Sequence, residues 1–66
     1  MTLDEAIIYC DTVAWKNKRE AKRNRDHGGW DYDDRAKRCE ACAADHEQIA
    51  EWLRELKDRR AKDALN

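Results

Sequence analysis

Apolar and small residues recur at helical spacing through the first third of the chain. The stripe advances by steps of four and three residues and comprises Leu3, Ile7, Cys10, Ala14, Asn17, Ala21 and Asn24. Thr2 and Glu5 have the spacing of a capping box, in which each of the two residues satisfies the other's free amide. Basic residues and then Gly28 follow the stripe, as is typical of a helix C-terminus. The pattern predicts a helix over about 3–25.

A second stripe keeps heptad spacing and continues to the end of the chain. It comprises Cys39, Cys42, His46, Ile49, Leu53, Leu56 and Arg60, with Ala43, Ala50 and Trp52 at its two sides. Three heptads without Pro or Gly predict a long helix over about 35–62. We expect Asp33 or Asp34 to cap this helix. The segment 26–34 between the two stripes contains the only turn-like residues, and the sequence predicts a loop there.

Two helices joined by one loop predict an all-α fold in which residues 1–66 form a single antiparallel hairpin. Folding the chain about the Gly pair sets Ile7 against Leu53, Cys10 against Ile49 and Ala14 against His46. The apolar pairs are then at the base of the hairpin, where the termini meet. Smaller and more polar residues line the half near the loop.

A hairpin cannot cover all of the apolar side chains that this sequence provides. Ile8, Trp15 and Trp52 flank the two stripes, and exposed apolar groups of this size indicate an interface. We therefore expect a homo-oligomeric helical bundle, with a dimeric four-helix bundle as its simplest form. The alternative is a monomer in which a third element within 26–34 covers these side chains.

The composition supports a small helical protein and argues against several classes of partner. The chain has 66 residues, of which 44% are charged and 41% hydrophobic, with no Pro and a net charge of −1. A domain of this size is marginal alone, which also favours self-association. The balanced charge argues against duplex DNA, and no apolar run is long enough for a membrane span. We expect a cytoplasmic protein. We also expect no disulfide framework, because three cysteines is an odd number.

Cys39, Cys42 and His46 suggest a zinc site, but their spacing fits one poorly. Zinc requires four ligands at about 2.0–2.3 Å, and a separation of seven residues on a helix is roughly 10 Å. We therefore predict no metal and no cofactor, and interpret the cysteines as small core residues. His46 is then a half-buried polar group bonded to Asn17 or to water. Because a hairpin offers no cleft beside Cys42 and His46, the sequence does not predict an enzyme.

A basic, aromatic region at the loop end of the hairpin is the predicted ligand site. The stretch from Lys16 to Arg25 contains six basic residues and one acidic residue. Cations beside aromatic rings suit a ligand that carries both phosphates and bases. The predicted contacts are Arg19, Lys22, Arg23, Arg25, Trp30, Tyr32, Arg35 and Arg38. The alternative is a solvated helix end whose charges pair with an acidic stripe on a neighbouring subunit.

The two ends of the chain resemble a family of small phage proteins. Residues 1–10, MTLDEAIIYC, and 39–57, CEACAADHEQIAEWLRELK, are similar to the opening and closing helices of small helical proteins from phages and prophages of gut Firmicutes. Those proteins open with an MTLEEAI-like helix and close with a CAxxHxQLAxWLxELK-like helix. The resemblance covers about half of the chain, and it implies a phage context rather than an activity.

Small phage proteins without an enzyme motif are often accessory factors that counter host immunity. The resemblance therefore implies a cytoplasmic binding protein that suppresses host antiviral defence. It would either sequester a small anionic nucleotide signal or bind an immune effector protein. The alternative is a structural or regulatory helical bundle of a phage without a role in defence, either with or without a zinc ion at Cys39, Cys42 and His46.

Overall fold

The computed structural model is a hairpin of two long helices, which confirms the predicted fold class. Helix α1 spans Leu3–His27 and helix α2 spans Trp30–Leu65. They pack against each other along their length, and the molecule measures 56 × 15 × 14 Å. The structure describes residues 1–65, the last of them by its backbone alone, so the end of the predicted 1–66 domain lies outside the described residues.

Thr2 is the N-cap of α1, as the sequence predicts. Its backbone is extended, and its hydroxyl oxygen accepts a hydrogen bond from the Glu5 amide at 3.1 Å. The Glu5 carboxylate accepts from the Thr2 hydroxyl, also at 3.1 Å, rather than from the Thr2 amide. Asp4 and Glu5 add negative charge to the first turn, where the helix dipole favours it.

The cap gives a first testable prediction for stability. Replacing Thr2 with Ala removes the acceptor for the Glu5 amide, and we expect a loss of about 1 kcal/mol in the free energy of unfolding. Thr12→Ala is the matched control, because the Thr12 hydroxyl donates only to the Ile8 carbonyl of its own helix. Chemical denaturation followed by circular dichroism measures both. Equal losses in the two variants would contradict a capping role for Thr2.

The connection between the helices is much shorter than the predicted loop over 26–34. Gly28 ends α1 with a φ of 80°, and its amide donates to the Asn24 carbonyl at 3.2 Å. Gly29 has a φ of 97°, and its carbonyl already accepts from the Asp33 amide at 2.9 Å. Two consecutive positive φ angles reverse the chain at little cost only because both residues are glycine. No third element therefore exists within 26–34.

Helix α2 begins at Trp30, so the predicted capping residues Asp33 and Asp34 are inside the helix. Trp30 and Tyr32, which we predicted in a loop, belong to its first turn. Asp31 and Asp33 place negative charge in that turn. Since no Pro or Gly interrupts α2, the helix also runs past the predicted end near 62.

The buried seam agrees with the predicted stripe on α1 but only in part on α2. On α1 the buried residues are Ile7, Cys10, Ala14, Ala21 and Asn24. On α2 they are three alanines one heptad apart, Ala36, Ala43 and Ala50, with exposed fractions of 2% or less.

The predicted α2 stripe is therefore only partly right, because its residues Cys39, His46 and Leu53 are half-buried along the seam, while the alanines are the buried residues of the seam. Ile49 and Leu56 are each 39% exposed and flank the seam instead of filling it, whereas Leu53 is half-buried. Alanine in the seam permits the two helices to approach closely, and a larger side chain at the same place would hold them apart. Both candidate stripes have heptad spacing, so spacing alone does not distinguish them.

Polar residues along the seam hydrogen-bond to their own helices. Asn17 and Asn24 donate through Nδ2 to the carbonyls of Val13 and Glu20, each at 2.8 Å. His46 donates through Nδ1 to the Cys42 carbonyl at 2.8 Å, and not to Asn17, which was one of its two predicted partners. Among the described residues, no buried side-chain nitrogen or oxygen lacks a partner. The narrow polar half of the seam is thus satisfied without cross-helix hydrogen bonds.

Candidate binding surfaces

One long side of the hairpin, here called the charged face, is closed by ion pairs between the helices. Four such pairs follow one another along the molecule: Asp4–Lys57 at 2.6 Å, Asp11–Arg54, Lys18–Glu47, and Arg25–Glu40 at 2.7 Å. The α1 members are spaced by seven residues, acidic near the base and basic near the loop. Helix α2 has the opposite order, so every pair is attractive in the antiparallel arrangement.

The ion pairs also define how the helices are aligned. Three of them, Asp11–Arg54, Lys18–Glu47 and Arg25–Glu40, follow in strict order, since each step of seven residues along α1 is a step of seven residues back along α2. The predicted facing pairs Ile7–Leu53, Cys10–Ile49 and Ala14–His46 stay predictions. Ile49 is exposed, whereas Ala50 beside it is buried in the α2 seam.

The opposite long side, here called the apolar face, has no comparable ion pairs among the described residues. Around each helix, the residues of this face are as far from the buried seam as the ion-paired residues are, but they lie on its opposite side. Toward the base of the hairpin these positions are occupied by Ala6 and Val13 on α1 and by Cys42, Ile49 and Leu56 on α2, whereas Glu20, His27 and Arg35 hold them near the loop. Tyr9 and Trp52 border this face with exposed fractions of 56% and 59%. The hairpin therefore has one charged side and one apolar side that the chain itself leaves partly uncovered.

The outward surface of α1 near the loop carries an open basic depression, here called the basic surface. It has a volume of about 240 Å³ and is lined by Lys16, Arg19, Glu20 and Arg23. The Arg19 guanidinium lies over the Trp15 ring at 4.7 Å from its centroid. Arg23 has only a long contact of 3.9 Å to Glu20, so the cations remain available to a partner.

A second group of predicted site residues lies at the loop end. The Tyr32 ring stacks on His27 with centroids 3.6 Å apart, and the Arg35 guanidinium lies 5.2 Å from the Tyr32 centroid. Trp30 is 80% exposed beside them. Arg38 pairs with Asp34 on its own helix at 3.2 Å, which reduces its availability to an anion.

The structure separates seven of the eight predicted contact residues into two groups. Arg19, Lys22 and Arg23 are exposed on α1, whereas Trp30, Tyr32, Arg35 and Arg38 belong to the first turns of α2. Arg19 is roughly 12 Å along the helix axis from the turn where His27 meets Tyr32. Arg19 is therefore too far to share one small ligand with the loop-end residues, whereas Arg23 lies only one turn, about 6 Å along the axis, from His27.

Arg25 belongs to neither group, because it forms an ion pair with Glu40 on the charged face. This role was not predicted from the sequence. The signal was present: Asp4, Asp11, Lys18 and Arg25 are one heptad apart, and residues 40, 47 and 54 repeat that spacing with opposite charges. Charge blocks in opposite order on two helices indicate antiparallel pairing, which a search for basic clusters overlooks.

The three predicted interface residues are exposed, but they do not share one surface. Ile8 lies at the charged face, in an open depression of about 570 Å³ together with Arg54 and Lys57. Trp15 is one heptad further along the same side of α1. Trp52 borders the apolar face instead. The exposed fractions of Ile8, Trp15 and Trp52 are 64%, 56% and 59%.

The cysteines and histidines of the described residues provide no cluster of three or more metal ligands. Cys42 Sγ lies 3.6 Å from His46 Nδ1, but that nitrogen already donates to the Cys42 carbonyl. Cys39 is half-buried in the seam one turn away, and Cys10 is buried on α1. Within one hairpin, this pair alone does not complete the tetrahedral set of four that zinc requires.

Neither helix includes a stretch, within the residues searched, that is long and apolar enough to cross a membrane. Comparison with known proteins found no matching protein-family model, curated protein or solved structure.

Proposed function

We propose that this chain is a non-enzymatic binding protein of a phage or prophage that suppresses host antiviral defence in the host cytoplasm. It would do so by capturing an immune effector protein through an acidic surface of that effector. The phage context derives from the resemblance of residues 1–10 and 39–57 to phage proteins. The mode of action derives from the shape and charge of the hairpin.

The basic surface is the observation that supports this proposal most directly. Lys16, Arg19, Lys22 and Arg23 are all exposed, and none of them pairs with α2 in the described part of the chain. By contrast, Lys18 and Arg25 on the same helix are used by the charged face. The free cations are therefore grouped on the outward side of α1, where a rigid helix presents them to a partner.

The shape of the basic surface favours a macromolecule over a small ligand. Small-molecule sites usually bury most of their ligand in a concave, largely apolar pocket. Here the depression of about 240 Å³ is open and is formed by long charged side chains. A broad acidic protein surface can contact all of these cations at once, whereas one nucleotide would reach only some of them.

Reversing two charges of the basic surface tests the proposal. We expect Arg19→Glu/Arg23→Glu to weaken capture at least tenfold, because each cation is replaced by a charge that an acidic partner repels. The experiment compares immobilised variants incubated with lysate of a defence-carrying bacterial host, with bound proteins quantified by mass spectrometry. Phage is also plated on the same strains expressing each variant, and plaque formation shows whether that variant still suppresses the defence. We prefer this pair to one containing Arg25, since Arg25→Glu would also place two acidic residues together on the charged face.

Arg60→Glu/Lys62→Glu is the matched control. It makes the same charge change at exposed positions far along α2, outside the ion pairs of the described residues. An acidic protein retained by the wild type and by this control, but lost from Arg19→Glu/Arg23→Glu and at high salt, supports the proposal. Equal capture by all three proteins contradicts it.

A second candidate function is sequestration of a small anionic nucleotide signal at the loop end. The stacked rings of His27 and Tyr32, with Arg35 over the latter and Trp30 exposed beside them, favour it. Aromatic rings and cations together suit a base with its phosphates. Asp31, Asp33 and Asp34 oppose it, because they place negative charge in the same turns. Titration with a cyclic dinucleotide distinguishes the candidates, since only nucleotide capture gives binding in the absence of host protein.

Self-association is part of the proposal. Among the described residues, the hairpin buries small side chains only, apart from Ile7 and Asn24 at 9% and 8% exposure. A core of this kind stabilises a small chain weakly, and a second copy would supply additional apolar burial. A structural or regulatory bundle without a defence role is the remaining alternative, and it would show self-association without capture of any host component.

A further inference from the structure

One exposed stripe of α2 along the apolar face has an ordered sequence of charges and apolar groups. It advances by steps of four and three residues and comprises Asp45, Ile49, Trp52, Leu56 and Arg59. All five residues are exposed, Trp52 most among the apolar ones. Asp45 and Arg59 take part in none of the ion pairs of the described residues, so both charges are free to meet a partner.

The stripe is complementary to itself when it is reversed. Asp45 and Arg59 lie one heptad on either side of Trp52, roughly 10 Å along the helix axis in each direction. Ile49 and Leu56, which are similar in volume, lie one turn on either side. A two-fold axis through Trp52 therefore brings opposite charges together at both ends and apolar groups together between them.

We propose that the apolar face is the contact between two copies of this chain, related by a two-fold axis at Trp52. In this dimer α2 packs antiparallel against α2 of the partner subunit. Asp45 pairs with Arg59 of the partner subunit, Ile49 packs against Leu56 of the partner subunit, and the two Trp52 rings meet at the axis. Tyr9 of α1, which borders the same face and is exposed, extends the contact.

Charge complementarity selects this arrangement over a parallel one. A parallel pairing of the same stripe would set Asp45 against its own copy and Arg59 against its own copy, which is repulsive at both ends. An unrelated protein would need a matching apolar strip with an acid and a base at the same separation. A second copy has that pattern by construction, and a two-fold contact satisfies it twice.

The dimer has a consequence for the basic surfaces. Because the axis crosses near the base of each hairpin, the two loop ends point in opposite directions, on the order of 60 Å apart. This inference builds on the proposed self-association but not on capture of an effector. A dimer that captures nothing and a monomer that captures an effector are separate, measurable results.

Paired charge variants test the inference on the full chain, by sedimentation velocity over a concentration series. Asp45→Arg alone puts two bases against each other at both ends of the contact, and Arg59→Asp alone does the same with two acids. We expect each variant to weaken self-association about tenfold. A mixture of the two should recover the wild-type affinity as a heterodimer, because a base then faces an acid at both ends of the contact. The double variant Asp45→Arg/Arg59→Asp should recover it for the same reason.

Trp52→Ser and Trp15→Ser provide a second, independent readout. Trp52→Ser should abolish dimer formation at concentrations where the wild type is dimeric, with helicity retained by circular dichroism. Trp15→Ser removes an equally exposed ring from the other side of α1 and should leave the dimer intact. A wild type that stays monomeric at high micromolar concentration overturns the inference. A dimer that is sensitive to Trp15 rather than Trp52, or a mixture without recovery, also overturns it.

Discussion

Replacing Ala50 with leucine is expected to lower the free energy of unfolding by about 2–3 kcal/mol, because overpacking of a close helix contact typically costs about 1–3 kcal/mol. Ala50 has an exposed fraction of 0% and belongs to the seam where α2 packs on α1. The added carbon atoms of leucine cannot fit there unless the helices separate. A chain of this size has only about 3–10 kcal/mol in total, so the loss is severe.

The expected change is a fall in melting temperature on the order of 10–20 °C, measured by circular dichroism or calorimetry. Ala44→Leu adds the same group at an exposed position of the same helix and should change the melting temperature little. Ile49→Ala tests the stripe predicted from the sequence, because it shortens an apolar side chain of that stripe. If Ile49→Ala proved more damaging than Ala50→Leu at a concentration where the chain is monomeric, Ile49 and not Ala50 would be in the core of the hairpin.

Reversing the basic half of the charged face is the second large effect that we expect. In Lys18→Glu/Arg25→Glu, two attractive pairs are replaced by carboxylates facing Glu47 and Glu40. Each exposed pair contributes about 0.2–1 kcal/mol, and the new repulsion adds a similar amount. We expect a total loss of about 1–3 kcal/mol, largest at low salt and smaller at high salt, because the groups are accessible to ions.

Adding Glu47→Lys and Glu40→Arg to that variant restores the opposite charges and should recover most of the lost stability. Denaturant titrations of both variants at low and high salt measure this recovery. Reversing Arg60 and Lys62 provides the control for net charge, since these residues are not part of the charged face. A quadruple variant as unstable as the double one would mean that charge pairing does not contribute to the packing of α1 on α2.

Both of these predictions concern the packing of α1 on α2, which positions the binding surfaces. The seam alanines and the ion pairs determine how α1 sits on α2, and that in turn determines which side chains remain outside. Lys18 and Arg25 form ion pairs with α2, whereas Arg19 and Arg23 remain available to a partner. A variant designed to change binding should therefore be compared with a variant that changes only the packing of α1 on α2.

The predicted ligand site shows where sequence reasoning stops. The sequence indicates correctly that basic and aromatic residues gather near the reversal of the chain. It does not show that Trp30 and Tyr32 are helical, because Asp and Gly neighbours resemble a loop when read locally. The two-residue turn instead depends on both glycines adopting positive φ angles, which leaves residues 30–34 free to join α2.

By itself, the sequence determined the class and outline of the fold: two helices, a capped start at Thr2, a reversal at Gly28 and Gly29, and the buried stripe of α1. These features depend on local propensity and spacing, which a single chain displays directly. Only the tertiary structure decided which α2 stripe is buried and which charges are paired. Stripes displaced by one position have the same heptad spacing, and close packing of the helices favours the one that contains Ala43 and Ala50.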